Sequence, residues 1–306
     1  MKHVFVSIIN FNGTSNTLEC LLSLDKINSK SFKISVVVID NASKDEFKVQ
    51  SSKFKVFQGL RVISNDKNLG FSGGQNVGIK YALDNGADYV LILNNDTIVD
   101  KNLIEELLNA AQKDKNIGIA VPKIYFASGF EFHKDRYKKS DLGKVFWYAG
   151  GEMDWKNVIG FHRGVDEVDR GQYDRIEKTD FASGCCMLVK GEVFEKVGFL
   201  DEKFFLYYED SDLCERIRRA GYSIMYSAKA ILWHKNAGSA GGSGSSLQDY
   251  YITRNRMLFG FRYASFRSKL ALFKESIMLL AKGRHWQRRG ILDFYLGRFG
   301  KGSFNV

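Results

Sequence analysis

The sequence predicts an α/β protein in which a doubly wound, mostly parallel central sheet is flanked by helices and followed by a C-terminal helical extension. Short apolar runs alternate with helix-length amphipathic segments over roughly the first 120 residues, and the connections are long enough for parallel crossovers. The apolar runs have no polar face, which is typical of strands covered on both sides. With 306 residues, of which 44% are hydrophobic and 26% charged, the chain can bury a large core.

The first part of the chain is predicted to contain four strands, each an apolar run followed by polar residues. They are Val4–Asn10, Ile34–Ile39, Arg61–Ser64 and Tyr89–Leu93. The spacing of Asn16 and Glu19 is that of a capping box, which predicts a helix starting at Asn16 with Leu18, Leu21 and Leu22 on its apolar face. Two further helices are predicted, one after the third strand and one starting at Asn102.

Polar side chains follow the second and fourth predicted strands where each strand ends. Ligands of open α/β sheets bind beyond the carboxyl ends of the strands, so Asp40 suits a contact to a ribose or a base. Asn94, Asn95 and Asp96 offer hard oxygen ligands, with one full negative charge, to a divalent cation that carries phosphates. The alternative for this triplet is a plain turn, because Asn and Asp bond their own backbone well.

A glycine-rich stretch, Asn68–Asn76, enters the second predicted helix. Backbone N–H groups around Asn68, Gly70, Gly73 and Asn76 and the helix N-terminus favour phosphate, so these residues are predicted to bind substrate. The stretch is not a P-loop, because no Gly-Lys-Ser/Thr follows it. A tight turn without a ligand remains the alternative.

After Pro122 the alternation of strands and helices breaks. The aromatic and charged segment Ile124–Gly164 suits an irregular flap or short hairpins over a cleft, or an ordinary surface excursion. Buried strands are predicted again at Asp180–Val189 and Ile224–Trp233. The Gly/Ser tract that follows, Gly238–Ser246, is predicted to be flexible without a partner.

A cluster of acids opens a short predicted helix behind five bulky apolar residues. Glu209, Asp210 and Asp212 stand in its first turn, where the helix dipole alone favours carboxylates. Three acids exceed what capping requires, and such surroundings can hold one carboxylate at a raised pKa as a base. His234 ends the last predicted strand beside the flexible tract. A lone histidine is usually structural, but this position favours a role as a ligand.

The positive charge of the chain is concentrated at its C-terminus. Residues 251–306 contain twelve Lys and Arg against two acids, a net charge of +10 that equals that of the whole chain. We therefore divide the chain into a catalytic domain, 1–250, and a basic amphipathic helical tail. Within the domain, residues 1–121 form a nucleotide-binding half and 122–250 an acceptor and catalytic half.

The tail combines apolar and basic residues in a way that suits helices lying on an anionic membrane surface. Its apolar residues are Leu270, Leu272, Phe273, Ile277, Leu279, Leu280, Trp286, Ile291, Leu292, Phe294, Tyr295 and Leu296. The alternatives are packing on the enzyme's own core and a homodimer contact. Nucleic acid is not expected as a partner, because the charges are interleaved with large apolar side chains.

The cysteines and the N-terminus predict a location in a reducing cytoplasm. Cys20, Cys185, Cys186 and Cys214 match no zinc spacing and are expected to be free and mostly buried. The segment Met1–Ile9 enters an apolar run directly, without the features of a signal peptide. No stretch reaches the 18 or so apolar residues that a membrane span requires.

Taken together, these motifs resemble family 2 glycosyltransferases of the GT-A fold, in the branch of bacterial rhamnosyltransferase-like enzymes. The similarity covers about residues 4–260 and rests on five short motifs in the right order. They are Val38-Ile39-Asp40-Asn41-Ala42-Ser43, Asn68-Leu69-Gly70-Phe71-Ser72-Gly73-Gly74-Gln75-Asn76, Leu93-Asn94-Asn95-Asp96, Tyr208-Glu209-Asp210-Ser211-Asp212-Leu213 and Trp233-His234.

The resemblance implies an inverting transfer of a sugar from a nucleoside-diphosphate donor to a hydroxyl of a cell-surface or lipid-linked glycan. Asp96 and His234 would hold Mg²⁺ or Mn²⁺, and Asn94 replaces the first acid of the family's Asp-x-Asp motif. Asp210 would be the catalytic base, with Glu209 beside it. The remaining residues would bind substrate, namely Asp40, Asn41, Ser43, Asn68, Gly70, Gly73, Asn76, Asn94, Asn95 and Asp212.

Two other functions are weighed against this one. A nucleotidyltransferase would share the nucleotide-binding half, but it usually has a basic glycine-rich loop after the first strand, and the segment Asn10–Thr14 has no Lys or Arg. A non-catalytic sugar- or lipid-binding relative would not need the acids and the histidine. With the basic tail, the resemblance predicts a cytoplasmic enzyme, peripheral at the inner face of the cytoplasmic membrane.

Overall fold

A computed structural model of the chain describes residues 1–45, 47–49, 54–55, 59–236 and 244–304. The described part forms a mixed sheet flanked by helices, together with a separate two-stranded hairpin. The predicted α/β fold class is confirmed. Most of the Gly/Ser tract that was predicted to be flexible lies outside the described residues.

Twelve strands form the sheet and the hairpin within these described ranges. They are β1 (Lys2–Asn10), β2 (Phe32–Asp40), β3 (Leu60–Ser64), β4 (Tyr89–Asn94), β5 (Thr97–Val99), β6 (Ile117–Phe126), β7 (Phe146–Tyr148), β8 (Gly151–Asp154), β9 (Ile159–His162), β10 (Ile176–Thr179), β11 (Cys186–Lys190) and β12 (Ser223–His234). The sheet has the order β10-β12-β6-β11-β4-β1-β2-β3, with β5 paired to β12 and β7 to β6. The first four strands are parallel, and β11 runs antiparallel between β4 and β6.

Eight α-helices accompany the strands in the part of the chain that the structure describes. They are α1 (Thr14–Leu24), α2 (Gly70–Asp84), α3 (Leu103–Ala111), α4 (Gly191–Val197), α5 (Glu209–Arg219), α6 (Ser246–Tyr263), α7 (Phe266–Lys282) and α8 (His285–Tyr295). Helix α1 starts at Thr14, with Gly13 as its N-cap and no capping side chain. The capping box predicted at Asn16 is therefore wrong, because Asn16 already lies inside the first turn.

The parallel register brings the polar ends of three strands to one edge of the sheet. Asn10 of β1 is paired with Asp40 of β2, and Ile9 is paired with Asn94 of β4. The apolar residues of β4 are almost completely buried, as expected for a strand covered on both faces. This edge is where the sequence predicted a ligand, because both candidate motifs follow strand ends.

Glycines allow α2 to lie very close to β1. An added Cβ at Gly78 would come within 2.1 Å of Ser7 Oγ, and one at Gly74 within 2.9 Å of Ile9 Cδ1. Most of the stretch predicted as a glycine-rich loop is thus the first turns of a helix. Its glycines serve helix-to-strand packing.

Strand β6 passes through Pro122, after which the sequence predicted that the alternation of strands and helices breaks. The pairing of β11 with β6 extends to Ala120, and the pairing of β7 starts at Ile124. Pro122 therefore falls between two ladders on one side of β6, and on the other side it lies opposite Ser227 at a register shift in the pairing with β12, an irregularity where a proline is tolerated. The expectation of an irregular flap from Ile124 is wrong for the end of this strand, while short hairpins do follow it.

The C-terminal helices pack on the domain and on one another. Tyr250 of α6 donates a hydrogen bond to Asp293 of α8, and both residues are fully buried. Leu272 and Ile291, which were predicted for a membrane-facing surface, instead point inward and are buried. In the described part of the chain, none of the helices combines the length and apolar character needed to cross a membrane.

Candidate active site

Asp96 and His234 come together at the edge of the sheet, although 138 positions separate them in sequence. The antiparallel pairing of β5 with β12 sets His234 opposite Thr97, next to Asp96. Asp96 Oδ1 lies 3.1 Å from His234 Nε2, and both residues are buried. The other ring nitrogen of His234, Nδ1, is buried and has no hydrogen-bond partner among the described residues. A buried polar atom without a partner is costly.

The spacing of this pair fits two ligands of one divalent cation. Ligand atoms about 2.1 Å from an octahedral cation and at right angles to each other lie about 3.0 Å apart. The distance from Asp96 Oδ1 to His234 Nε2 is 3.1 Å. No cluster of three or more His, Cys, Asp or Glu suited to a metal occurs among the described residues. The pair therefore fits an ion that takes its other ligands from phosphate and water, as Mg²⁺ commonly does.

The two asparagines before Asp96 are placed differently. Asn95 Nδ2 donates to Thr17 Oγ1 at 2.9 Å, so its amide fastens the turn to α1. The side chain of Asn94 is half-buried and makes no hydrogen bond to any described residue. Of the two, Asn94 is the residue whose side chain stays available to a ligand.

Asp40, Asn41 and Ser43 form part of an internal hydrogen-bond network at the end of β2. Asp40 Oδ1 accepts from Asn10 Nδ2 at 2.9 Å and also from the Ser43 hydroxyl. Asn41 is buried, and its amide binds the backbone of Gly70 and the side chain of Asn68. These side chains hold the loops of the predicted nucleotide site in place, with most of their polar atoms engaged by the protein itself.

The N-terminus of α2 is closed by another segment of the chain. The N–H groups of Phe71 and Ser72 both donate to the carbonyl oxygen of Phe205, at 2.7 and 3.2 Å. Gly70 has φ +72, and an added Cβ would lie 2.4 Å from that same oxygen. The amides that were expected to face a phosphate are thus occupied in this structure.

Two other residues of the glycine-rich stretch hold the structure together. Asn76 is buried and bonds the backbone of Leu200 in both directions, through Nδ2 at 2.9 Å and Oδ1 at 3.0 Å. At Gly73, an added Cβ would lie 2.8 Å from Leu69 Cβ. Both residues therefore act on packing and on neighbouring loops, and their predicted contact with substrate is not part of this arrangement.

Asp210 and Glu209 open α5, as the sequence predicted, but their surroundings differ. Burial raises the pKa of both carboxyl groups, and for Glu209 the neighbouring charge of Asp210 raises the pKa further. Asp210 accepts hydrogen bonds from the N–H groups of Gly184 and Ser211, which favour its ionised form. Glu209 is 4% exposed, and its Oε2 has no partner among the described residues. Asp210 is half-buried and its carboxylate accepts two backbone hydrogen bonds, whereas Glu209 is almost completely buried.

A short run of backbone connects the acid pair of α5 to the Asp96–His234 pair. Asp210 Oδ2 accepts from the N–H of Gly184 at 3.0 Å. The next residue, Cys185, accepts from the N–H of Asn94 at 2.8 Å through its carbonyl oxygen. Two hydrogen bonds and the backbone of Gly184 and Cys185 thus link the candidate base to Asn94, two residues before Asp96.

Asp212 does not face this site. Its carboxylate is fully buried and accepts from Arg216 Nε at 2.8 Å, Arg262 Nη1 at 3.0 Å and Tyr263 OH at 2.8 Å. It therefore fastens α5 to the end of α6. The predicted contact of Asp212 with substrate is replaced by this structural role.

Sequence reasoning missed His162, which lies close to the metal-ligand candidates. The ring of Trp147 stands edge-on between His162 and His234, with centroid distances of 4.3 and 4.5 Å. Burial lowers the pKa of His162 to about 4, so the ring is neutral near pH 7. Its position in the β8–β9 hairpin follows no recognisable motif, and only the folded structure brings it to the site.

A separate cavity of about 610 Å³ lies on the other side of β12. Its lining includes Trp233, Ile98 and Tyr125. Because neighbouring side chains of a strand point to opposite faces, Trp233 faces this cavity while His234 faces Asp96. The cavity is therefore distinct from the site of Asp96 and Asp210.

The fold is that of the GT-A glycosyltransferases. The structure of GalNAc-T7 with UDP, GalNAc and Mn²⁺ matches it with a TM-score of 0.62, over 90% of this chain and 54% of that one. Only 17% of the aligned residues are identical, so this likeness concerns the fold alone.

The chain belongs to glycosyl transferase family 2, whose family model matches residues 5–198. A low-salt glycan biosynthesis hexosyltransferase from Haloferax volcanii is 30% identical over 223 residues, which cover 72% of this chain and 66% of that relative. An N-acetylglucosaminyl-diphospho-decaprenol L-rhamnosyltransferase from Mycobacterium tuberculosis is 28% identical over 226 residues, 70% of each chain. Membership of this family decides against a nucleotidyltransferase.

The raised pKa of Glu209 predicts a measurable pH dependence of stability. The folded protein keeps a proton on Glu209 that the unfolded chain releases above about pH 4.3, so stability falls as the pH rises from there towards the folded pKa. Gln stays neutral at every pH, so Glu209→Gln should lose less stability between about pH 5 and pH 8. The difference should be about 1.4 kcal/mol for each unit of the shift, measured by urea unfolding.

The exposed Glu192 of α4 provides the matched control. Glu192→Gln should follow the wild-type pH dependence. Identical slopes for wild type and Glu209→Gln would contradict the raised pKa of Glu209.

Proposed function

We propose that this chain is an inverting glycosyltransferase that uses Mg²⁺ or Mn²⁺ to move a sugar such as rhamnose from a nucleoside-diphosphate donor. The acceptor is a hydroxyl of a cell-surface or lipid-linked glycan. The observation that carries this proposal is the Asp96–His234 pair, joined to Asp210 through Gly184 and Cys185. The rhamnosyltransferase and hexosyltransferase relatives support the class of donor and acceptor.

The chain's own residues divide the reaction between two groups. A bound cation supplies positive charge where the diphosphate leaving group develops negative charge. Asp96 and His234 hold that cation at the edge of the sheet. Asp210 takes the proton of the acceptor hydroxyl, and the ionised form that it needs is favoured by the N–H groups of Gly184 and Ser211.

The raised pKa of Asp210 predicts how the rate of transfer depends on pH. A carboxylate acts as a base only when it is ionised, so transfer is present above its pKa and is lost as the pH falls through it. Glu209, buried and without a partner for Oε2, stays protonated to a higher pH.

The test is a panel of nucleoside-diphosphate sugars, including a rhamnosyl donor, assayed for transfer and hydrolysis with Mn²⁺ and with EDTA. Wild type should turn over at least one donor with Mn²⁺ and lose that activity in EDTA. Asp96→Ala should abolish turnover, and His234→Ala should sharply raise the Mn²⁺ concentration needed. Product analysis by proton NMR should show an anomeric configuration opposite to that of the donor.

Two outcomes would contradict the proposal. Full activity of both variants in EDTA would remove the metal assignment. No turnover of any donor by the wild type, together with tight glycan binding, would favour a non-catalytic relative.

We also propose that helices α7 and α8 bind the enzyme to the inner face of the cytoplasmic membrane. Phe266, Leu270, Phe273 and Ile277 recur at helical spacing along α7, and all four are exposed. Leu292, Tyr295 and Leu296 add exposed apolar surface on α8. The Lys and Arg residues of the tail surround these positions, so the surface complements an anionic leaflet, at about 1 kcal/mol per basic residue.

Flotation with anionic liposomes tests the membrane proposal. A double variant, Phe273→Ser with Ile277→Ser, should float less than wild type, because it removes apolar area without disturbing the buried face of α7. Leu22→Ser, at an exposed apolar residue of α1, is the matched control and should float like wild type. High salt should weaken flotation of wild type. Equal failure of all three proteins to float would discard the membrane role in favour of a contact between copies.

A further inference from the structure

The segment just before the catalytic acids has an unfavourable backbone conformation. Phe205, Tyr207 and Tyr208 have φ values of 65°, 68° and 71°, in the left-handed region that bulky side chains rarely adopt. Such residues persist only where the surrounding structure holds them, and they concentrate at functional sites. Tyr208 is the N-cap of α5, so the conformation of this segment sets where Asp210 lies.

Asn255 of α6 holds this segment from one side. It is fully buried, and its Nδ2 lies 2.8 Å from each of three carbonyl oxygens, those of Phe204, Leu206 and Tyr207. Its Oδ1 accepts from Arg254 Nε at 2.9 Å. Because a guanidinium can only donate, this contact fixes the orientation of the amide with Nδ2 towards the segment.

Arg254 holds the same segment and ties it to the C-terminus. It is fully buried, and its Nη2 donates to the carbonyl oxygen of Phe204 at 3.0 Å. Its Nη1 donates to the carbonyl oxygen of Gly300 at 2.8 Å, and its guanidinium lies 5.0 Å from the ring centroid of Tyr251. A buried cation surrounded by carbonyl oxygens and aromatic rings is well compensated.

On its other side the segment contacts the nucleotide-binding half of the domain, residues 1–121. The carbonyl oxygen of Phe205 accepts from the N–H groups of Phe71 and Ser72 at the start of α2. The Phe205 residue also fills the space that the missing side chain of Gly70 leaves. The segment 204–208 thus lies between the N-terminus of α2 and Asn255, and it leads directly into Asp210.

We propose that Asn255 is a positioning residue for the catalytic base, so that α6 completes the active site in addition to joining the tail to the domain. This inference rests on the proposed function, in which Asp210 is the base. Without the amide of Asn255, the carbonyl oxygens of Leu206 and Tyr207 lose this donor, that of Phe204 keeps only Arg254, and the strained conformation relaxes. Asp210 then leaves its position next to Gly184, while the residues that bind the donor keep theirs.

The test compares Asn255→Asp with the wild type. The substitution keeps the shape and the contact to Arg254, but it presents an oxygen to three carbonyl oxygens. We expect kcat for transfer to fall by about tenfold or more and the acidic limb of its pH profile to move, with the donor Kd changed by less than about twofold. Hydrogen exchange of the Phe71 and Ser72 amides should become faster, because their acceptor moves away.

Leu272→Ala is the control for general loss of stability, since Leu272 is buried between α7 and α6, against Gly260, and makes no hydrogen bond to the carbonyl oxygens that Asn255 holds. It should lower the melting temperature and leave the pH profile and the exchange of these amides unchanged. A kcat and pH profile of Asn255→Asp equal to those of Leu272→Ala would overturn the positioning role. If the wild type transferred no sugar, the proposed function would fail, and the exchange measurement alone would still decide whether Asn255 holds the segment.

Discussion

The site depends on the parallel pairing of β1 with β2 and β4. Because this register is fixed by strands buried on both faces, the polar residues that end the three strands, Asn10, Asp40 and Asn94, meet at one edge of the sheet. Strand β12, which lies late in the sequence of the domain, ends at the same edge and places His234 beside Asp96. A change that shifted the register of β4 by one residue would turn each of its side chains to the other face of the sheet and separate Asp96 from His234.

The second half of the site is built by packing and hydrogen bonds between distant segments. The acids of α5 are connected to β4 by the backbone of Gly184 and Cys185, and Asp212 anchors the same helix to α6. The candidate base of α5 and the candidate metal ligands after β4 and at the end of β12 are thus held by different elements. The C-terminal helices are part of this construction, since α6 reaches both Asp212 and the segment before α5.

The sequence was sufficient for the first four strands and for the position of the acids at the start of α5, because buried apolar runs and charges at a helix start are strong local signals. It was insufficient wherever a polar side chain could either bind a ligand or form hydrogen bonds within the protein. Asn41 and Asp212 satisfy a motif in the sequence, but their hydrogen-bond partners come from distant segments and are fixed only by the fold. Asn255 was missed because the charge of the tail dominated its interpretation, and Pro122 concealed β6 because proline normally argues against an inner strand.

The most direct test of the account is the comparison of Asp210→Asn with Glu209→Gln on a donor that the wild type turns over. Asp210→Asn should lower kcat by at least about a hundredfold while the donor Kd stays nearly constant, because a general base acts on the acceptor and not on donor binding. Glu209→Gln should lower kcat much less, since a protonated acid and an amide are both neutral. The reverse order would move the base to Glu209 and contradict the assignment on which the account depends.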